Sequence, residues 1–268
     1  MNKYIRALFF LPIILPFVTG LAYSLFKSFG FWDPIGHTSY SHWGKILFSP
    51  TTYWSIAYSV YIATFSTSIS FALALTLLFH KPARVNLLVL LPLILSPVSV
   101  AFIFLQLLSG NGFFVRLLAK LPDTSIIFSV DLTAQSPHGF AIILALTFMT
   151  IPVFYAFLTK IAEEEQINHQ IQLSRELGAS YWQSIWKIAI PTLIQKSKFF
   201  ILLYFVFALS SYEIPLLLGS QNPKMITVFI IDKIQKFDLT TIPEGFGLVI
   251  IYSFLIILIS RWMFQIVK

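Results

Sequence analysis

The sequence predicts an all-α integral membrane protein of six transmembrane helices, with a helix–turn–helix elbow between the fourth and fifth. Composition comes first: the 268 residues are 57% apolar and only 11% charged. A soluble domain carries about 25% charged residues, so this chain lacks the charge to cover a wetted surface. Mean hydropathy is +0.82. The apolar residues also fall in unbroken runs near the ~20 residues that a helix needs to cross a bilayer. A β-barrel would instead alternate polarity within segments of ~10 residues.

The spans follow in order. Lys3 and Arg6 precede an uncharged run, Ala7–Phe26. That run is long for a signal-peptide core and no small-x-small cleavage site follows, so a retained first helix is expected. The second helix is expected near Ser55–Phe79, inside the uncharged run Ile46–Phe79, and the third at Val85–Leu108. The fourth falls near His138–Thr159, the fifth near Phe199–Leu218 and the sixth near Phe246–Lys268. Pro12, Pro16, Pro92, Pro97, Pro152 and Pro215 lie within these spans. Each would cost ~3 kcal/mol in a helix in water, but membrane helices tolerate them where neighbours satisfy the freed carbonyls. They are read as packing kinks. One transmembrane domain, 1–268, is expected, with a loop at 160–198.

Basic residues orient the chain. With a cytoplasmic N-terminus, Lys3, Arg6, Lys81, Arg84, Lys160, Arg175, Lys187, Lys196, Lys198, Arg261 and Lys268 fall inside. Lys27, Lys45, Arg116, Lys120, Lys224, Lys233 and Lys236 fall outside, in longer loops. Both termini are therefore expected in the cytoplasm.

Several chemistries are excluded. The chain has no cysteine, hence no disulfide framework and no thiol-based metal or redox site. The net charge of +7 is read as basic cytoplasmic loops, and no basic tract exceeds two or three residues, so nucleic acid is not an expected partner. There is no G-x-x-x-x-G-K-[ST] phosphate loop, no G-x-S-x-G serine and no facing carboxylate pair. His37, His42, His80, His138 and His169 lack metal-ligand spacing. No catalytic residue, metal or cofactor is expected.

The segment 160–198 mixes charged and apolar residues and spells an elbow. Glu163, Glu164 and Glu165 are expected at a helix N-terminus, where negative charge is favoured. Ile167 and Ile171 form an i, i+4 apolar pair. Gly178 can end that helix in the left-handed conformation, and Ser180 with Gln183 forms an S-x-x-Q capping box that starts another. Trp182, Ile185, Trp186 and Ala189 then make one apolar stripe, and Pro191 breaks the pattern before the fifth span.

Gln172-Leu173-Ser174-Arg175-Glu176-Leu177-Gly178-Ala179-Ser180, followed by Ile188-Ala189-Ile190-Pro191, resembles the loop signature of type I ABC importer permeases: Glu-Ala-Ala, three residues, Gly, nine residues, Ile-x-Leu-Pro. Gln172 stands for the glutamate, Leu173 and Ser174 for the alanines, and Ile190 for the leucine. Leu91–Val98 is similar to the family's third-helix pattern. Ser210–Gly219 with Asn222-Pro223-Lys224 is similar to permeases of the polyamine, ferric-iron and thiamine branch. The resemblance covers roughly residues 55 to 260. It implies the membrane subunit of a bacterial inner-membrane importer, partnered by ABC ATPase subunits, a second permease subunit and an extracytoplasmic solute-binding protein. It implies further that Gln172, Leu173, Ser174, Arg175, Leu177, Gly178, Ala179, Ser180 and Trp182 form the ATPase-coupling elbow. Gln172 offers that partner a neutral hydrogen bond where the family offers a charge.

Tyr212 and Glu213 are the candidate translocation-path residues. With a fifth helix starting near Phe199, Glu213 would lie ~21 Å along it at ~1.5 Å per residue. An ionisable group at such depth faces a cavity or a partner; an internal hydrogen bond or an early helix end are the alternatives. Ile226, Phe229, Ile230, Ile234 and Phe237 share one helical face, expected at the membrane interface or against neighbouring helices. An ion-driven carrier would place several ionisable groups at midplane and show inverted repeats, and a membrane scaffold would not need the Gly–Ser elbow.

Overall fold

The computed structural model describes residues 3–31, 41–80, 87–110, 112–113, 116, 134–235 and 239–267. Of the predicted features, His37, Lys81, Arg84, Lys120, Lys236, Phe237 and Lys268 lie outside them. Every regular element among the described residues is helical. Four helical stretches are long and apolar enough to cross a membrane: Pro50–His80, Phe140–Glu164, Tyr181–Leu209 and Leu239–Trp262. Ile14–Ser28 and Pro97–Leu108 are shorter apolar helices.

The described residues form two compact units. The first comprises residues 1–56 and 226–261. It contains α1 (Lys3–Ser28), α2 (Ser41–Leu47), the start of α3 (Pro50–His80), and, from the far end of the chain, α11 (Ile226–Gln235) and most of α12 (Ile242–Val267). Its core joins Ile46, Ile226, Ile230, Leu248 and Tyr252. The expected apolar face of α11 thus packs inward, with Phe229 and Ile234 against that core. Glu244, in the first turn of α12 where the helix dipole favours a carboxylate, is buried and hydrogen-bonded to Lys233, with Lys45 3.8 Å away.

The second unit, residues 57–225 and 262–268, is built on α6 (Phe140–Glu164). A glycine starts this helix of necessity: Gly139 has φ +65°, and a Cβ there would stand 2.5 Å from the Tyr58 hydroxyl and 2.4 Å from Ile62. The first half of α6 packs Ile142 and Leu146 with Ile62, Val100, Leu209 and Ile214. The second half packs Phe154, Leu158 and Ile161 with Ile167, Ile171, Ile185 and Leu193. Pro152 withholds one backbone donor inside α6. Nearby, the Thr150 hydroxyl bonds back to the Leu146 carbonyl at 2.9 Å and across to Ser70 of α3. Interhelical hydroxyl bonds of this kind hold membrane helices together where apolar contact discriminates little.

The predicted third span is broken. Leu87–Leu90 forms one helical turn (α4), Leu91–Ile94 a 3-10 turn, and α5 (Pro97–Leu108) begins only after them. Pro92 and Pro97 stand at the starts of the 3-10 turn and of α5 and each withholds a backbone donor, and Ser96 caps the restart by accepting from the Ser99 amide at 3.2 Å. The fifth span is also displaced. The helical stretch runs Tyr181–Leu209, not Phe199–Leu218, and it continues through Pro191, which was expected to break the pattern and instead withholds one backbone donor where the π turn gives way to α-helix.

Candidate functional site

The elbow begins where α6 ends. The three glutamates were expected to open a helix; instead Glu163 and Glu164 finish α6, and Glu165 caps it. Negative charge is disfavoured at a helix C-terminus. Lysines offset it: Lys196 Nζ lies 2.6 Å from Glu165 and Lys160 3.9 Å from Glu164. Gln166 takes a positive φ of 50°, and α7 runs Ile167–Glu176. Ile167 and Ile171 are buried against α6, each contributing about 1.5–3 kcal/mol relative to exposure.

The turn is closed by hydrogen bonds at both ends. The Gly178 amide donates to the Arg175 carbonyl and the Ala179 amide to the Ser174 carbonyl, both at 3.0 Å. With φ of +94° at Gly178, this is the Schellman arrangement that satisfies the orphan carbonyls of a helix end. Two residues on, the Gln183 amide donates to Ser180 Oγ at 3.3 Å, and the Ser180 amide donates to Gln183 Oε1 at 3.0 Å. The capping box read from sequence is therefore formed, and α8 (Tyr181–Ser184) begins there. Ser174 Oγ then donates to Ser184 Oγ at 2.6 Å, whose own hydrogen goes to the Ser180 carbonyl at 3.0 Å. Both serines are buried.

The expected apolar stripe divides in two. Ile185 and Ala189 are buried in the core, while Trp182 and Trp186 stand exposed. Ile185 and Ala189 form the inner edge of the stripe and Trp182 and Trp186 its outer edge, and a π-helical turn spans Ile185–Ala189. After it comes α9 (Ile190–Leu209). Around the tip, Leu177 is 83% exposed, and Leu173, Tyr181 and Trp182 are exposed beside it. Arg175 is exposed and Ala179 half-buried. Gln172 is exposed too, its amide nitrogen 3.3 Å from Glu176 Oε1. Sequence reasoning named this loop but missed Ser184 and Tyr181; neither the buried serine pair nor the aromatic beside Trp182 has a local sequence signal.

Tyr212 and Glu213 lie elsewhere in the same unit. Glu213 is not deep in a continuous helix, since α9 stops at Leu209 and a short α10 (Glu213–Leu218) starts anew. Ser210 and Ser211 turn the chain, their amides donating to the Val206 and Ala208 carbonyls at 3.0 and 3.3 Å. Pro215 sits in the first turn of α10, where it is tolerated. Glu213 is exposed and Tyr212 half-buried. Both line a cavity of about 310 Å³ with Pro97, Met149, Phe207, Ser210 and Ser211. This brings α5, α6, α9 and α10 to one recess that holds a carboxylate, hydroxyls and two aromatic rings. Among the described histidines, His80 rests its Nδ1 2.9 Å from the Thr76 carbonyl.

The family of binding-protein-dependent transport system inner membrane components matches residues 85–268. No curated relative matches the sequence. Among solved structures, the chain is similar to a chain of a bacterial ABC transporter involved in the import of the acidic polysaccharide alginate. The TM-score is 0.68 at 16% identity, covering 99% of this chain and 95% of that one. A second likeness is to a bacterial alginate ABC transporter in complex with an alginate pentasaccharide-bound periplasmic protein, with TM-score 0.68, 16% identity and coverage of 97% and 93%. Both likenesses speak to the fold.

Proposed function

The chain belongs to the family of binding-protein-dependent transport system inner membrane components, and from that premise we propose that its elbow is the coupling contact with a separate ATPase. The single observation that carries this reading is the construction of the tip. A Schellman end and a capping box hold the turn, the Ser174–Ser184 bond clamps its arms, and Leu173, Leu177, Tyr181 and Trp182 are left facing outward. Exposed apolar residues on a rigid support suit a protein interface, where ordered anchors lose little entropy on binding. Arg175 and Gln172 supply the polar rim, and Gly178, Ala179 and Ser180 supply the turn itself.

In this reading the whole chain, 1–268, is one permease domain of six membrane-crossing helices, with both termini and the elbow in the cytoplasm of a bacterial inner membrane. A second permease subunit, identical or not, completes the path, and an extracytoplasmic binding protein delivers the solute. ATP hydrolysis belongs to the partner, and its closure moves this subunit through Ile167, Ile171 and Ile185, which root the elbow beside α6. The recess at Tyr212 and Glu213 is part of the path. The sequence likeness of Ser210–Gly219 to the polyamine, ferric-iron and thiamine branch supports a small cationic solute.

A cysteine at Ala179 tests the coupling role, because the native chain has none. Labelling by a cytoplasmic maleimide is expected to fall when the ATPase is bound. Equal labelling with and without it rejects docking at this tip.

A further inference from the structure

A groove of about 290 Å³ lies in the second unit between the end of α3 and the start of the fifth span. Ala72, Thr76 and Phe79 form one wall, and Trp182, Trp186 and Ile190 the other. Thr76 and His80 are turned onto their own helix. Thr76 Oγ1 donates to the Leu73 carbonyl at 2.8 Å, and His80 Nδ1 lies against the Thr76 carbonyl. The groove therefore presents hydrocarbon alone. We propose that it seats one acyl chain of an anionic phospholipid, with the head group at Lys187.

Three observations point to that occupant. Both walls lie at the elbow-side ends of helical stretches that are long and apolar enough to cross a membrane, so a bilayer that takes those stretches has its boundary near the groove. Trp182 and Trp186 are 60% and 66% exposed, and tryptophan collects at the boundary between acyl chains and head groups, where an apolar ring and a polar N–H are both accommodated. Lys187, next to Trp186 and exposed, places a cation at that level, and a cation there favours anionic over zwitterionic lipid. The inference rests on membrane insertion and not on transport.

The test is native mass spectrometry of the complete transporter, purified from membranes in mild detergent and offered phosphatidylglycerol or phosphatidylcholine. Wild type should retain about one phosphatidylglycerol per copy of this chain in preference to phosphatidylcholine. Thr76→Phe fills the groove from an exposed position and should lose that lipid. Lys187→Gln leaves the groove open and should bind the two lipids alike. Equal retention in wild type and Thr76→Phe overturns the site, and an unchanged anionic preference in Lys187→Gln does so even if Thr76→Phe fails to assemble. Absence of the lipid from the complete transporter, with binding restored once the ATPase is stripped away, would assign the groove to that protein instead. Transport is not read, so this result and that of the Ala179 labelling stand apart.

Discussion

The Ser174 hydroxyl of α7 donates to the Ser184 hydroxyl of α8 across 2.6 Å, tying together the two arms of the elbow. Ser174→Ala should loosen the turn by about 1 kcal/mol, the net worth of one hydrogen bond. Amide exchange across 172–184 should then quicken roughly five-fold. Ser184→Ala removes the same bond and its own donation to the Ser180 carbonyl, and the double variant should lose less than the sum of the two single losses, because the shared bond is counted once. Additive losses would show that the two hydroxyls act separately.

Gly178 isolates backbone conformation from packing. Its φ is +94° and no atom lies within 4 Å of an added Cβ, so any cost is conformational, ~1–2 kcal/mol for an ordinary L-residue. Asparagine tolerates the left-handed region and a β-branched residue does not. Gly178→Asn should keep the ATPase through purification, and Gly178→Val should release most of it. Identical yields of the partner from both variants would mean that this turn does not control docking.

Glu213 is exposed on its cavity, so Glu213→Gln should change thermal stability by no more than ~0.5 kcal/mol. Solute uptake in vesicles should nevertheless fall, or ATP hydrolysis continue without it. Wild-type uptake at normal yield would reject a required charge. A joint fall in stability and uptake would make the residue structural.

Glu244 gives the opposite expectation. Its side chain is 10% exposed beside Lys233 at 21%, whereas Lys45 is 62% exposed. Glu244→Gln leaves Lys233 largely buried without its counter-charge and should cost about 3 kcal/mol. Lys45→Ala breaks a screened pair and should cost less than ~1 kcal/mol. Thermal unfolding of the complex compares the two; equal shifts would contradict the burial argument.

Local chemistry makes the elbow legible in the sequence. Gly178, Ser180 and Gln183 act on backbone groups within a few residues, so the Schellman end and capping box depend on little else. The same local reading failed at Glu163–Glu165. A run of acids before an apolar pair suits a helix start, yet α6 continued through Glu164 because its buried face persists to Ile161 and Lys196 approaches from α9. It failed again at Glu213, where Phe199–Leu218 reads as one apolar run and hydropathy does not register a turn at Ser210–Tyr212.

The sequence by itself determined that this chain is helical and membrane-embedded, because too few charges and long apolar runs leave a bilayer as the only compatible solvent. It also determined where the elbow bends. Tertiary structure alone decided which side chains on each helix are sheltered. Ile185 and Trp186 are adjacent and both apolar, yet one is 2% and the other 66% exposed. The cause is long-range: burial is settled by which helices pack against a given face, and here that is the α6 scaffold rather than hydropathy. For the same reason Ser184 became a clamp and Glu213 the rim of a cavity.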